Sequence, residues 1–109
     1  MANDIFVDNY GMDLVMGVGF DMSSNTSLTF RFLKPDLTTV VEKTGILGTI
    51  EVTTTEGVFA ANTWASYTFV DGDLDQIGTW TVELVYEAAS TKITSVAKTF
   101  DVVTDIDGT

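Results

Sequence analysis

Residues 71–87 read D-G-D-L-D-Q-I-G-T-W-T-V-E-L-V-Y-E, a loop rich in Asp and Gly followed by a run in which apolar and polar side chains alternate. The apolar members of this run are Trp80, Val82, Leu84 and Tyr86. Residues two apart along a β-strand point to the same face, so the strand has one apolar and one polar face. A turn that leads into a half-buried strand, with a large aromatic residue just after a Gly, is typical of the corner of a β-sandwich.

The same alternation recurs along the chain, between clusters of Gly, Asn and Asp that mark turns. It predicts strands at residues 5–8, 13–20, 27–34, 38–43, 64–70 and 93–103, with weaker strand signals at 46–55 and 58–61. Pro35 suits the second position of a tight turn between the third and fourth strands. Gly17 and Gly19 suggest a bulge or the close approach of another backbone.

A chain of 109 residues is the usual size of one domain. We predict an all-β fold, an immunoglobulin-like antiparallel β-sandwich of about 7–9 strands. The sandwich would span residues 1–103, and residues 104–109 would form a polar tail. A small closed barrel fits the same strand spacing and is the alternative. The residues expected to form the core are Phe30, Phe32, Tyr67, Phe69, Trp80, Val82, Leu84 and Phe100.

Sixteen acidic residues against five basic ones give the chain a formal charge of −11. Such a charge repels phosphate backbones and anionic lipid surfaces, which argues against nucleic-acid and membrane partners. Its functional interpretation is docking onto a basic partner or a cation, and its ordinary interpretation is solubility. The first residues lack the pattern of a signal peptide, so we expect a protein made in the cytoplasm.

The chain contains no His and no Cys. Their absence removes Ser-His-Asp chemistry, cysteine nucleophiles, histidine- or thiolate-bound zinc and disulfides. Glu83 and Glu87 share one face of a strand, but it is the polar outward face, without the apolar surroundings that tune a carboxylate pair for glycoside hydrolysis. We therefore predict that the protein is not an enzyme and uses no cofactor.

Three aspartates alternate in the loop, Asp71, Asp73 and Asp75, and hard cations such as calcium bind carboxylate oxygens. The spacing fails the EF-hand pattern, because Gln76 stands where that loop needs Gly and Val82 stands where it needs Glu. A solvated turn, in which Asp side chains bond local amides, is the simpler interpretation. We predict no metal site and keep calcium as an alternative, to which the end of the chain adds Asp101, Asp105 and Asp107.

Most aromatic residues alternate with Leu and Val in the way that core residues do. Trp64 departs from this pattern, because Ser66 and Thr68 share its face, so it either contacts a partner or closes the rim of the sandwich. Apolar residues on a second face suggest a contact surface, and scattered surface residues explain them equally well; they are Phe6, Met12, Leu33 and Val85. The predicted partner contacts are Phe6, Tyr10, Met12 and Trp64.

The segment D-L-D-Q-I-G-T-W-T-V at residues 73–82 resembles the corner before strand F of immunoglobulin-like domains. Trp80 stands in place of the usual tyrosine, and its indole cannot supply the phenolic hydrogen bond of that corner. Val82 stands where antibody domains have Cys. The resemblance implies the sandwich architecture without antibody-type detail.

Three segments together resemble small immunoglobulin-like proteins encoded by tailed bacteriophages. They are D-I-F-V-D-N-Y-G-M-D-L-V-M-G-V-G-F-D-M-S at residues 4–23, K-P-D-L-T-T at residues 34–39 and Y-T-F-V-D-G-D-L-D-Q-I-G-T-W-T-V-E-L-V-Y at residues 67–86. Those proteins often carry K-P-D-G at the turn. Leu37 replaces that Gly here, which favours a type I turn over one that needs a positive φ.

This resemblance is one of motif order, and it implies a structural protein of the virion rather than an enzyme. We expect an accessory or decoration protein that binds a larger capsid, neck or tail protein, or copies of itself. Assembly of the virion in the host cytoplasm would require neither a signal peptide nor Cys. The alternative is a recognition module whose exposed aromatic residues and acidic loops bind host-surface glycans, with or without calcium.

Overall fold

The computed structural model describes residues 11–54, 56–95 and 97–103, together with the backbone of residues 4–6. These residues form eleven strands and no helix. The strands are β1 (Asp4–Phe6), β2 (Asp13–Gly17), β3 (Ser27–Leu33), β4 (Val40–Thr44), β5 (Ile46–Leu47), β6 (Val52–Thr54), β7 (Gly57–Phe59), β8 (Trp64–Thr68), β9 (Gly78–Ala88), β10 (Thr91–Thr94) and β11 (Lys98–Val103). The predicted all-β fold is confirmed, and the predicted tail at residues 104–109 lies outside the described residues.

Two sheets pack face to face as a sandwich. The larger has six strands in the order β1-β11-β9-β3-β4 with β10 beside β9, and the smaller has three strands in the order β2-β8-β5. The strands of these two sheets fit the predicted number, and their separation excludes the closed barrel. The order matches an immunoglobulin-like arrangement. Strands β2, β8 and β5 take the places of strands B, E and D in one sheet, and β11, β9 and β3 take the places of strands G, F and C in the other. One pair departs from the antiparallel prediction, because β1 runs parallel to β11.

The core lies between the two sheets, where the apolar faces of β3 and β9 contribute most of its side chains. Phe30 faces Leu84 across that strand pair. Seven of the eight predicted core residues are buried, and Tyr67 packs against them while remaining partly exposed. Loops add Met22 and Leu74, which are also buried. Alternation therefore predicts the inner faces of the strands, whereas buried loop residues have no periodic signal.

The corner before β9 is held by Trp80. Its side chain is buried, and its Nε1–H donates a 3.0 Å hydrogen bond to the backbone oxygen of Gln76, four residues upstream. Gly78 has a φ of 134°, and a Cβ at this position would lie 2.7 Å from the ring of Pro35. A phenolic bond is absent because the residue is Trp, but the indole makes an equivalent bond to the backbone, which the sequence did not indicate.

The turn between β3 and β4 differs from its prediction at Leu37. The Leu37 N–H donates to the Lys34 carbonyl over 2.9 Å, as in a type I turn, yet Leu37 itself has a φ of 63°. The Asp36 side chain accepts hydrogen bonds from the N–H groups of Thr38 and Thr39, which hold the chain in this bend. The expectation that Leu avoids a positive φ here is therefore wrong. These bonds and the pairing of β3 with β4 outweigh a cost of about 1–2 kcal/mol for a left-handed residue other than Gly.

The middle of the chain also differs from its prediction. Residues 46–55 do not form one interrupted strand, because β5 pairs with β8 whereas β6 pairs with β7 as a separate hairpin. The chain leaves the sheet at Gly48, whose N–H donates to the Trp64 carbonyl and whose missing side chain leaves room for the Trp64 ring. Residues 93–103 likewise divide between β10 and β11. Val96, predicted to share their apolar face, lies outside the described residues.

Candidate interaction surfaces

An apolar patch lies on the outer face of the three-stranded sheet. It consists of Trp64 and Ile46 on that face, together with the exposed Ile50, whose backbone oxygen is bonded to the Trp64 ring, and we call it the indole patch. Ala65 is buried, so its neighbours along β8 point outward, away from the core. Ile46 faces Ser66 across the β5–β8 pair and therefore shares the outer face with Trp64. The side chains of Ile46 and Ile50 are 65% and 68% exposed, which is unusual for such large apolar groups.

The indole of Trp64 lies directly against the chain at Gly48. A Cβ on Gly48 would come within 2.0 Å of a ring carbon, so a residue with a side chain does not fit beneath the ring. The indole Nε1–H donates to the backbone oxygen of Ile50 over 2.7 Å, which satisfies the polar atom of the ring within the chain. The ring is thus fixed and remains partly exposed. An apolar surface that is already ordered loses little conformational entropy when a partner binds.

The hairpin of β6 and β7 folds against the β2 edge of the same sheet. The ring of Phe59 lies over Gly17, where a Cβ would be 2.6 Å from it. Near the hairpin turn, Glu56 forms an ion pair with Lys98 of β11, which joins the hairpin to the larger sheet. The sequence suggested a bulge or the close approach of another backbone at Gly17, whereas the group that approaches it is the side chain of Phe59.

The loop after β8 is tied to the sandwich by Asp73. Its carboxylate accepts hydrogen bonds from the Tyr67 hydroxyl and the Val70 N–H, and lies 3.3 Å from Lys43 Nζ. Burial raises the pKa of Asp73, but these three partners outweigh it and leave the pKa below its ordinary value of 3.8. Burial and the bond to Asp73 raise the pKa of Tyr67 above its ordinary value of 10.0. At neutral pH, Asp73 is therefore ionised and the Tyr67 hydroxyl is protonated, so the cluster is a structural contact.

Two of the other aspartates proposed as calcium ligands, Asp75 and Asp101, are also engaged within the chain. Asp75 accepts a 2.9 Å hydrogen bond from Lys34 Nζ. Asp101 accepts one of 2.8 Å from the hydroxyl of Thr79, its cross-strand neighbour. No group of three or more potential metal ligands occurs in the part of the chain that the structure describes, from which Asp105 and Asp107 are left out.

The two glutamates considered for catalysis lie on the outer face of the six-stranded sheet. Arg31 faces Glu83 on one side and Glu42 on the other. Its Nη1–H donates to Glu83 over 3.2 Å, while its Nε lies 3.3 Å from Glu42 as an ion pair without hydrogen-bond geometry. Glu87 accepts a hydrogen bond from the Ser27 hydroxyl. Both glutamates thus occupy polar cross-strand positions, as the alternation predicted.

The four predicted contact residues occupy different environments. Phe6 lies in β1, but its side chain is outside the described residues, and so is Tyr10. Met12 is partly buried and packs against the core. Trp64 lies on the outer face of the three-stranded sheet, where its ring packs against Gly48, and belongs to the indole patch. Its role as a partner contact stays a prediction.

The other apolar residues considered as contacts lie in separate places. Leu33 is partly exposed, and Val85 is 4% exposed and therefore buried within the chain. The loops at one end of the sandwich expose three large apolar side chains, which the sequence pattern did not single out: Leu37, Val70 and Ile77. An apolar residue among turn residues was the available signal, and single exposed residues of this kind are common.

Comparisons of this chain with protein-family models, curated proteins and solved structures found no match. The resemblance to phage proteins therefore stays a prediction from the quoted motifs. Among the described residues, no helix has the length and apolar character to cross a membrane.

Proposed function

We propose that this chain is a structural component of a tailed-phage virion, an accessory or decoration protein that binds a larger capsid, neck or tail protein. The observation that supports the proposal is the indole patch, a fixed apolar surface on a strand of a sandwich. The motif order shared with phage proteins supports the same assignment. In this proposal the protein catalyses no reaction, and its activity is binding.

Burial of the indole patch would supply much of the binding energy. Fully burying an Ile or similar side chain contributes about 1.5–3 kcal/mol, and Trp is over-represented among the residues that dominate interfaces. Association also costs an estimated 4–15 kcal/mol of translational and rotational freedom. The patch alone therefore gives weak binding, and additional contacts or several linked copies are needed for a stable complex.

The charge of the chain indicates the character of the partner surface. A formal charge of −11 favours a surface that carries Lys and Arg around an apolar centre. Exposed charges separated by more than about 8 Å are screened at physiological ionic strength. We therefore expect association to slow as salt is added, while the apolar contact persists.

Co-sedimentation with phage particles assembled without this protein tests the proposal. Purified protein should bind such particles at saturable sites, and Ile46→Ser and Ile50→Ser should each weaken binding by about tenfold, the equivalent of 1.4 kcal/mol. Both side chains are largely exposed, so these substitutions leave the core intact. Ile93→Ser is the matched control, because Ile93 is an exposed Ile on β10, outside the patch. Absence of binding to any particle component contradicts the proposal.

A recognition module that binds host glycans is the second candidate. The observation that favours it is the fixed indole of Trp64, since a ring held against the chain at Gly48 offers its surface for stacking on a sugar. A glycan array with and without EDTA distinguishes the two candidates. Specific sugar binding that is lost in Trp64→Ala supports the module, and calcium dependence would appear as loss of binding in EDTA.

A further inference from the structure

The sandwich is open along one side, between β4 of the larger sheet and β8 of the smaller one. Strand β5 would cover this side, but it pairs with β8 at two positions, Ile46 with Ser66 and Leu47 with Ala65. Beyond Ser66, no strand among the described residues pairs with β8 on this side. We call this opening the side gap.

The backbone of β8 presents hydrogen-bonding groups to the side gap. The Phe69 N–H donates to the Met12 carbonyl over 2.9 Å, so the backbone of Phe69 faces the β2 side. Successive residues of an antiparallel strand direct their N–H and C=O groups to opposite sides. The backbone groups of Thr68 therefore face the side gap, where an added strand would bond to them.

A cavity of about 200 Å³ lies at the side gap. Its inner wall is aromatic, and its outer wall is formed by residues of β4 and by the loop after β8. Pockets that hold drug-sized ligands measure about 300–1,000 Å³, whereas a 150 Å³ cavity is known to hold one benzene ring. The cavity therefore matches a single large apolar side chain, and the residues that line it are Phe32, Lys34, Val41, Lys43, Tyr67, Phe69, Gly72, Asp73 and Trp80.

The charges around the cavity favour a neutral side chain inside it. Lys43 pairs with Asp73 over 3.3 Å, and Lys34 pairs with Asp75 over 2.9 Å. Lys34 Nζ also lies 5.7 Å from the centre of the Trp80 ring, so its charge is directed at the aromatic wall. These cations are neutralised, and the exposed side chain of Asp71, next to Gly72, adds a carboxylate at the opening of a chain whose formal charge is −11, which favours basic residues at the ends of a bound segment.

We infer that the side gap accepts an extended segment of a partner protein, which continues the line of β5, pairs with Thr68 and inserts one large apolar side chain into the cavity. The segment carries basic residues on either side of that apolar one. This is strand addition to an exposed edge, in which backbone bonds give affinity and a pocket gives specificity. That the segment belongs to a virion protein rests on the proposed function, whereas the side gap itself does not.

A titration of the ¹⁵N-labelled protein with a synthetic peptide tests the inference without any phage component. The probe is a short blocked peptide in which Thr and Val alternate around a central Phe, with Lys at both ends. Amide signals of Thr68, Gly72 and the β4 residues should shift together. A peptide with Ser in place of Phe should bind about 10–100-fold more weakly, because burying a Phe is worth about 1.5–3 kcal/mol.

Two substitutions on neighbouring positions of β4 provide the matched pair. Val41→Phe fills the cavity, since Val41 lines it, and should reduce peptide binding at least about tenfold. Val40→Phe places the same ring on the opposite, exposed face of β4 and should leave binding unchanged. Thermal melting of both variants confirms that they are folded.

Shifts centred on Trp64 and Ile46, equal binding of the Phe and Ser peptides, or no shift at millimolar peptide would overturn the inference. If the peptide binds as described but the protein binds no particle, the side gap stands and the proposed function fails. If the protein binds particles but Val41→Phe binds them as well as Val40→Phe does, the proposed function stands and the side gap is not its contact.

Discussion

The two edges of the three-stranded sheet are built differently. At the β2 edge, the chain's own hairpin folds against the strand, with Phe59 over Gly17 and Glu56 paired with Lys98. At the β5 edge, no described strand pairs with β8 beyond Ser66, and a cavity opens there. Proteins usually cover, shorten or charge their strand edges, because an unpaired edge invites another chain. A cavity of about 570 Å³ also lies at the β2 edge, but Phe59 and Glu56 of the hairpin line it, whereas no hairpin residue lines the cavity at the β5 edge. The β5 edge is therefore the one that keeps room for a partner strand.

Ion pairs occur at both edges, so they do not explain the difference. Lys98 pairs with Glu56 at the covered edge, whereas Lys34 and Lys43 pair with aspartates at the open one. Exposed pairs of this kind contribute about 0–1 kcal/mol each. The covered edge is distinguished by an aromatic ring that the chain itself supplies, Phe59, and the open edge has room for a ring that none of the described residues fills.

The largest effect expected is from Trp80→Ala, which removes one of the aromatic rings that line the cavity of the side gap. The indole is buried and bonded to the Gln76 carbonyl, so its loss should reduce the free energy of unfolding by about 3–5 kcal/mol. Urea unfolding followed by far-UV circular dichroism measures this. Trp80→Phe keeps most of the apolar contact and loses the hydrogen bond, so a cost as large as that of Trp80→Ala would show that the corner bond matters more than the packing.

At the covered edge, Gly17→Ala should separate the hairpin from the sheet. The new Cβ would lie 2.6 Å from the Phe59 ring, which must move, at a cost of about 1–3 kcal/mol. Hydrogen exchange should become faster in β6 and β7 while β9 keeps its protection. Gly19→Ala is the control, since a Cβ there has no atom within 4 Å. Equal exchange in both variants would mean that Phe59 does not hold the hairpin.

Periodicity predicted the elements whose neighbours are set by alternation. The faces of β3 and β9 follow from apolar residues at every second position, and Trp64 was singled out because Ser66 and Thr68 share its face. The contrast between the two edges has no such signal. It depends on where β5 begins, at Ile46, directly after Gly45, whose N–H donates to the Leu28 carbonyl of β3 and whose missing side chain leaves room for the Phe30 ring. Contacts between residues far apart in the sequence leave no local pattern to read.

The acidic loop was likewise predicted only in part: its turn was expected, but the partners of its aspartates were not. Composition predicted a loop whose aspartates make turns or bind a cation, and the structure pairs Asp73 with Tyr67 and Lys43, and Asp75 with Lys34. Spacing alone gave no indication of these partners, because each belongs to a different strand or turn. The same limit applies to the indole patch, in which Trp64 was predicted but neither Ile46 nor Ile50 was.

The Asp73 cluster at the open edge should make stability depend on acid. The pKa of Asp73 is lowered in the folded protein, so its contribution is present above its ordinary value of 3.8 and is lost as the pH falls through the folded pKa. The urea midpoint should therefore decrease as the pH is lowered from 5 to about 2. Asp73→Asn should cost about 1 kcal/mol at pH 7 and flatten this dependence.

Asp71→Asn is the control for that measurement, because Asp71 lies in the same loop and its side chain is exposed. An acid dependence that Asp73→Asn leaves unchanged would assign it to other carboxylates. Asp36 is one of these, since bonds from the Thr38 and Thr39 N–H groups lower its pKa as well. On the alkaline side, the raised pKa of Tyr67 predicts a loss of stability as the pH rises above about 10.

The smallest effect concerns the turn that leads into β4, one wall of the side gap. Leu37 has a φ of 63° and is 71% exposed, so replacing it removes strain without removing buried contacts. Leu37→Gly recovers about 1–2 kcal/mol of left-handed strain and loses about 0.4–1 kcal/mol through the freer unfolded chain. The net expectation is a stabilisation of about 0.5 kcal/mol, measurable as a higher urea midpoint.

Asn62→Gly is the matched control for the turn. Asn62 has a φ of 68°, but Asn tolerates this conformation, so the substitution should bring no gain. Leu37→Gly should also leave binding of the Phe peptide unchanged, because Leu37 does not line the cavity. If the variant gains stability but loses the peptide, the partner surface extends from the side gap to the turn, and the strain at Leu37 serves to hold an apolar side chain where the partner lies.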